Sequence, residues 1–152
     1  MKKQPKTGFK QLKLSLDSVK VPLEIYIDGA SRGNPGRSGV GVLIRDVDGG
    51  VHEIKRDIGI ATNNEAEYKA LITALQSAKK LRKNHLKIYT DSSLLANQIN
   101  ESWRVRDSKI AALWKCAKKL IAEFEEVKIK YIPRELNREA DRLANRAIDE
   151  YL

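Results

Sequence analysis

The chain has 152 residues, 41% hydrophobic and 32% charged, with 29 Lys and Arg against 20 Asp and Glu, a net charge of +9. That length suits one domain with a sizeable core, and the composition is that of a globular protein rather than a collagen-like or disulfide-rich one. A single cysteine, Cys116, excludes an internal disulfide, and no apolar run approaches the roughly 18 residues of a membrane span. The basic N-terminus has no apolar stretch behind it, so it does not read as a secretory signal, and the cytoplasm is the expected location. So large a positive excess favours a polyanionic partner, most simply nucleic acid, bound through release of counterions.

Residues 1–22 carry six lysines against one acid, Asp17, and are expected to form a flexible basic arm ahead of a domain at 23–152. Leu23, Ile25 and Ile27 then alternate as a strand that meets an acid, Asp28, and the Gly-, Asn- and Pro-containing segment after it reads as a loop. Gly39–Arg45 and Val51–Ile60 predict two further strands, with a hairpin signal at Asp48-Gly49-Gly50, giving three consecutive antiparallel strands. Asn63 and Asn64 before acidic residues predict side-chain caps at the start of a helix, whose apolar face runs through Leu71, Leu75 and Ala78. A fourth strand from Leu86 ends at a second acid, Asp91, and Ser92 or Ser93 can cap the short helix that follows.

Trp103-Arg104-Val105-Arg106 is a basic, aromatic connector to a helix over about Ser108–Phe124, where Cys116 is expected to fill core. Val127–Ile132 predicts the last strand, and the last helix, after Asn137, shows Ala140, Leu143, Ala144, Ala147 and Ile148 on one face. The order β-β-β-α-β-α-α-β-α predicts an α/β fold, a mixed sheet packed by helices, with strand four returning parallel to strand one.

Two strands thus end in acids, Asp28 and Asp91, and two helices carry acids near their first turns, Glu67 and Asp141. Each alone reads as a cap or a surface charge. In β-α-β units the carboxyl ends of strands and the amino ends of helices share one edge of the sheet, so the four can converge there. Two like charges about 4 Å apart repel by about 4 kcal/mol at an effective dielectric of about 20. A hard divalent cation offsets that, and all-oxygen ligands select Mg²⁺ or Mn²⁺ over zinc. The only two histidines, His52 and His85, fall on expected strand or loop surface and suggest no nucleophile triad.

Ile27-Asp28-Gly29-Ala30, Gly33-Asn34-Pro35-Gly36, Thr62-Asn63-Asn64-Glu65-Ala66-Glu67, Tyr89-Thr90-Asp91-Ser92 and Asn137–Ala144 together resemble ribonuclease H, type 1, over roughly residues 23–149. The resemblance implies a ribonuclease H-like fold, a five-stranded mixed sheet with helices on both sides. It also implies an endonuclease that hydrolyses the RNA strand of RNA–DNA hybrids and leaves 5′-phosphate and 3′-hydroxyl ends. Its cofactor would be two Mg²⁺, with Mn²⁺ able to substitute, one activating the attacking water and the other stabilising the leaving oxygen.

Matched motif by motif, the catalytic and metal-binding tetrad falls on Asp28, Glu67, Asp91 and Asp141, with Glu67 chosen over Glu65 on the resemblance alone. Substrate contacts fall on Gly29, Asn34, Thr62, Asn63, Asn64 and Ser92, with Thr62 and Asn34 resembling a DNA-phosphate pocket. The chain departs from many members in lacking a tryptophan-rich basic protrusion and a loop histidine before the last acid. In place of the histidine stands the short loop Pro133-Arg134-Glu135-Leu136. This compact form resembles archaeal and some bacterial members and adds double-stranded RNA to the expected partners. A monomer without membrane association is expected. The rival readings are a DNA-cutting nuclease of the same fold and a non-catalytic nucleic-acid-binding module.

Overall fold

In the computed structural model, which describes residues 21–151, Leu23, Ile25 and Ile27 open β1 (Leu23–Gly33). The other strands are β2 (Gly36–Arg45), β3 (Val51–Ala61), β4 (His85–Thr90) and β5 (Glu126–Tyr131). The helices are α1 (Asn63–Lys80), α2 (Ser93–Ile99), α3 (Ser108–Ile121) and α4 (Arg138–Tyr151), with a 3₁₀ turn at Arg134–Leu136. Except for Val21 and Pro22, the arm expected at 1–22 lies outside the described residues.

The five strands form one mixed sheet in the order β3-β2-β1-β4-β5. β1, β2 and β3 pair antiparallel, whereas β1–β4 and β4–β5 are parallel, as expected of strands joined through helices. β1 is therefore the central strand. It is also longer than the sequence suggests, because the expected loop after Asp28 continues the ladder through Gly33↔Gly36. Only Asn34 and Pro35 turn the hairpin. Paired backbone groups in the ladder outweigh the turn propensity of the Gly-rich segment.

Side chains alternate across the sheet, so neighbouring residues of β2 serve different helices. Val40 and Val42 are fully buried in the core with Ile25, Ile27, Ile88 and the α1 residues Tyr68, Leu71 and Leu75. Each such fully buried aliphatic side chain contributes about 1.5–3 kcal/mol relative to exposure. Gly39 and Gly41 face α4 instead. All five apolar residues assigned to the face of α4 are buried. Cys116, by contrast, is exposed, because α3 buries only Ile110 and Ala117 along its length and turns Cys116 outward. No helix among the described residues is long and apolar enough to cross a membrane.

Two glycines set how closely the helices approach. A Cβ on Gly29 would lie 2.3 Å from the carbonyl carbon of Ala66 in α1, and one on Gly41 would lie 2.2 Å from the Ala140 oxygen in α4. Each helix thus rests on strand backbone one residue away from an acid, Glu67 or Asp141. Gly41→Ala should force α4 off the sheet and lower stability by about 1–3 kcal/mol in urea denaturation. A variant as stable as the parent would show that α4 is not held by this contact.

Candidate functional site

The parallel register Ile27↔Thr90 places Asp28 and Asp91 side by side, each one residue beyond the last β1–β4 pair. Glu67 reaches the same edge from the first turns of α1. One carboxylate oxygen from each of Asp28, Glu67 and Asp91 lies within 4.8 Å of the others. Asp28 and Glu67 are buried and Asp91 half-buried. Asp141, in the first turn of α4, lines the same open cleft of about 490 Å³ but stands outside that compact trio.

The local sequence decides which glutamate enters. Thr62 caps α1, its hydroxyl accepting from the Glu65 N–H at 3.1 Å while the Thr62 N–H donates to Glu65 Oε1 at 2.8 Å. This capping box occupies Glu65 and leaves Glu67, two residues on, to face the sheet. The expected caps, Asn63 and Asn64, are the first helical residues instead, and both stand exposed on the cleft wall. At α2 the cap is Ser92, whose hydroxyl accepts from the Leu95 N–H. Ser92 and Ser93 both line the cleft.

The electrostatics are those of like charges held together. Burial, then the charges of Glu67 and Asp91, push the Asp28 carboxyl far above the ordinary carboxylate range, and a hydrogen bond with Asp141 adds to the rise. Burial and Asp91 also raise Glu67, against the opposing Gly29 N–H, which donates to Glu67 Oε1 at 3.0 Å. Burial raises Asp91, opposed by its hydrogen bond from Asn137 and by the Arg134 guanidinium. The protons belong to the cluster rather than to single residues. Three crowded carboxylates, Asp28, Glu67 and Asp91, fit a hard divalent cation and are the residues placed to hold one, with Asp141 on the wall of the same cleft.

Other predicted residues take different positions. Asn34, in the hairpin turn, uses Oδ1 to accept from the Asn63 N–H at 3.0 Å, so it braces the start of α1. Gly29 contributes backbone to the cleft and its N–H to Glu67. In the shortened loop, Arg134 lines the cleft, 3.8 Å from Asp141, whereas Glu135 lies in a separate hollow with Tyr26 and Arg45. Arg32 and Asn145 also line the cleft and Asn137 bonds to Asp91, three residues that the acid pattern does not single out. Arg32 donates to Asn145 Oδ1 at 3.2 Å, and Asn145 Nδ2 donates to the Asp141 carbonyl at 2.9 Å. Asn137 and Asn145 stand four residues either side of Asp141, the spacing of neighbours on a helix, which is the signal that points to them.

Fold and site together define an α/β protein with a carboxylate centre at the carboxyl edge of its sheet. The Reverse transcriptase-like family model matches residues 26–147. Ribonuclease HI of Halobacterium salinarum is 40% identical over 126 residues, which is 82% of this chain and 63% of that protein. Bifunctional protein Rv2228c of Mycobacterium tuberculosis is 39% identical over 127 residues, and the chain spans only 35% of it. Among solved structures, RNase H1 from Halobacterium salinarum NRC-1 superposes with a TM-score of 0.82 at 39% identity, covering 86% of this chain and 99% of that one. LC11-RNase H1, solved in complex with an RNA/DNA hybrid, gives 0.80 at 35% identity, covering 85% and 98%. The chain belongs to the ribonuclease H family.

Raised carboxylate values mean that the folded cluster keeps protons which the unfolded chain releases at 3.8 for Asp and 4.5 for Glu. The folded state then binds more protons than the unfolded one, so stability falls as pH rises above that range. The melting temperature of metal-free protein should therefore drop from mildly acidic to alkaline pH, and Asp28→Asn should raise it at alkaline pH and flatten the slope. Mn²⁺ competes with those protons, so its stabilisation should grow with pH. A slope unchanged by Asp28→Asn would show that Asp28 does not carry the conflict.

Proposed function

We propose that this chain is a divalent-cation-dependent endoribonuclease that cuts the RNA strand of RNA–DNA hybrids and leaves 5′-phosphate and 3′-hydroxyl ends. The observation that carries this reading is the meeting of Asp28, Glu67 and Asp91 within 4.8 Å, in a cleft that Asp141 also lines. The similarity to a ribonuclease H1 solved with an RNA/DNA hybrid supports the substrate class. In this reading the protein works as a cytoplasmic monomer, with two Mg²⁺ as cofactor and Mn²⁺ as a substitute.

Asp28, Glu67, Asp91 and Asp141 would hold the metal. When bound, Mg²⁺ supplies a nucleophile from water and charge stabilisation for the leaving oxygen at neutral pH. The remaining work belongs to the chain. The amino ends of α1 and α2 open on the cleft at Asn63, Asn64, Ser92 and Ser93, where the positive end of the α1 dipole favours a phosphate. The Asn63 and Asn64 amides both donate and accept, which suits minor-groove edges and the 2′-hydroxyls that tell RNA from DNA. Arg134 offsets part of the acid charge, lowering the repulsion an incoming phosphodiester meets. Thr62 and Asn34 set the α1 amino end in place, so their contribution to a phosphate site is the position of that helix.

Labelled RNA–DNA hybrid, RNA duplex and DNA duplex, each with and without Mg²⁺, test the activity. Hybrid cleavage that needs Mg²⁺ is expected. Intact hybrid would favour a binding module, and cut DNA duplex a different nuclease. Asp91→Asn and Glu67→Gln should reduce cleavage to background while hybrid binding survives. Glu65→Ala, which removes the acceptor of the Thr62 N–H, should instead cost about 0.5–1.5 kcal/mol of stability, as a lost hydrogen bond does, and still cleave. Equal loss of cleavage in the two glutamate variants would contradict the assignment of Glu67.

A further inference from the structure

Asn137 is 1% exposed and stands between the 3₁₀ turn and α4. Its amide has two hydrogens, and both are donated: Nδ2 lies 2.8 Å from the Ile27 carbonyl oxygen and 3.3 Å from Asp91 Oδ2. Ile27 immediately precedes Asp28. The Asn137 carbonyl accepts from the Asp141 N–H at 3.1 Å, and the Asn137 N–H donates to the Arg134 carbonyl at 3.0 Å. One side chain and its own peptide groups thus touch the segments bearing Asp28, Asp91, Asp141 and Arg134. The bonds to Ile27 and Asp91 span 110 and 46 residues of chain.

A plain helix-capping role does not account for this arrangement. An asparagine before a helix ordinarily turns its side-chain oxygen onto a first-turn N–H. Here Oδ1 is buried and has no hydrogen-bond partner among the described residues, while the nitrogen side is committed to the acid cluster. A buried unpartnered acceptor is unfavourable, so the donor side sets the orientation of the amide.

We propose that Asn137 is a positioning residue of the metal centre: its amide ties the Asp91 carboxylate to the β1 backbone beside Asp28 and to the entrance of α4. Cation affinity then depends on Asn137, whereas affinity for the hybrid does not. The proposal rests on the metal-dependent reading above and extends it to a residue that need not touch either cation or substrate.

Mn²⁺ titration of the full chain, followed by the electron paramagnetic resonance of free Mn²⁺, tests it without turnover. Asn137→Ala should weaken Mn²⁺ binding by about 10–100-fold, the usual effect of losing a group that orients a metal ligand. Asn137→Leu, which keeps the branched shape but has no donor, should do the same and is read where the alanine variant fails to fold. Asn100→Ala is the control for a merely structural amide, since Asn100 Nδ2 donates to the Ile129 carbonyl at 3.1 Å, a backbone brace with no acid among its bonds. That variant should lose stability and keep its Mn²⁺ affinity. At saturating Mn²⁺, Asn137→Ala should recover kcat with KM for the hybrid unchanged.

Folded Asn137 variants that bind Mn²⁺ as tightly as the parent, or that lose it no more than Asn100→Ala, would overturn the proposal. Parent protein that takes up no Mn²⁺ overturns the metal-centre reading itself, and that outcome is distinct because only then does the parent fail.

Discussion

The constraint on which this structure turns is repulsion among carboxylates gathered at one edge of a sheet. Oxygens of Asp28, Glu67 and Asp91 lie within 4.8 Å, and burial strips Asp28 and Glu67 of the water that would screen them. Two such carboxylates at about 4 Å, if both ionised, would repel by about 4 kcal/mol at an effective dielectric of about 20. That is a large fraction of a domain's net stability of about 5–15 kcal/mol. A cluster of this kind persists only if the surrounding fold is rigid and stable enough to hold it, and protons or a cation must complete the balance. The wholly buried core of β1, β2, β4 and α1 supplies the rigidity. The Gly29 N–H, the Asn137 amide and the Arg134 guanidinium each offset part of the charge.

Much of the fold was legible in the sequence because its period was unambiguous. The alternation of Leu23, Ile25 and Ile27, and the face of Ala140, Leu143, Ala144, Ala147 and Ile148, each obey one spacing throughout. All of these residues are buried. The convergence of Asp28 and Asp91 followed from topology, since two parallel neighbours that both end in acids bring them together. Element ends were less legible. Gly and Asn after Asp28 have turn propensity, yet the ladder with β2 carries β1 to Gly33. Local propensity loses there to backbone pairing that a linear reading does not contain. Cys116 misled for a related reason: it lies in an apolar-periodic segment, but α3 covers the core with too little of its surface to bury it.

The site divides in the same way. Acids announce themselves by being out of place among apolar neighbours, whereas the groups that restrain them do not. Glu65 and Glu67 are indistinguishable by residue type, and only the family resemblance favours Glu67. The capping box supplies a physical reason for one of them to be occupied elsewhere, since Thr62 and Glu65 satisfy each other's backbone N–H groups. Asparagines show how far function escapes composition. Asn34 braces the start of α1, Asn63 and Asn64 face the cleft, Asn137 reaches under it, and Asn145 links Arg32 to the Asp141 turn. One residue type serves four geometries, and only three-dimensional placement separates them.

Read along β1, these restraints show a single design. Asp28 lies between two backbone groups that are each spent on another acid. On one side the Ile27 carbonyl accepts from Asn137, whose other amide hydrogen goes to Asp91. On the other side the Gly29 N–H donates to Glu67. The central strand therefore acts as the reference from which neighbouring carboxylates are measured. Gly29 also lacks a Cβ where one would collide with Ala66, so the same residue that binds Glu67 lets α1 come near enough to be bound. Gly41, the β2 partner of Asp28, does the equivalent for α4 and Asp141. Moving Glu67 thus breaks a bond to β1 and moving Asp91 breaks one that leads to β1 through Asn137, and β1 is fixed by ladders on both sides and by the core beneath. The positions of the acids are set by the most constrained strand of the sheet, which is what a centre built from mutually repelling ligands demands.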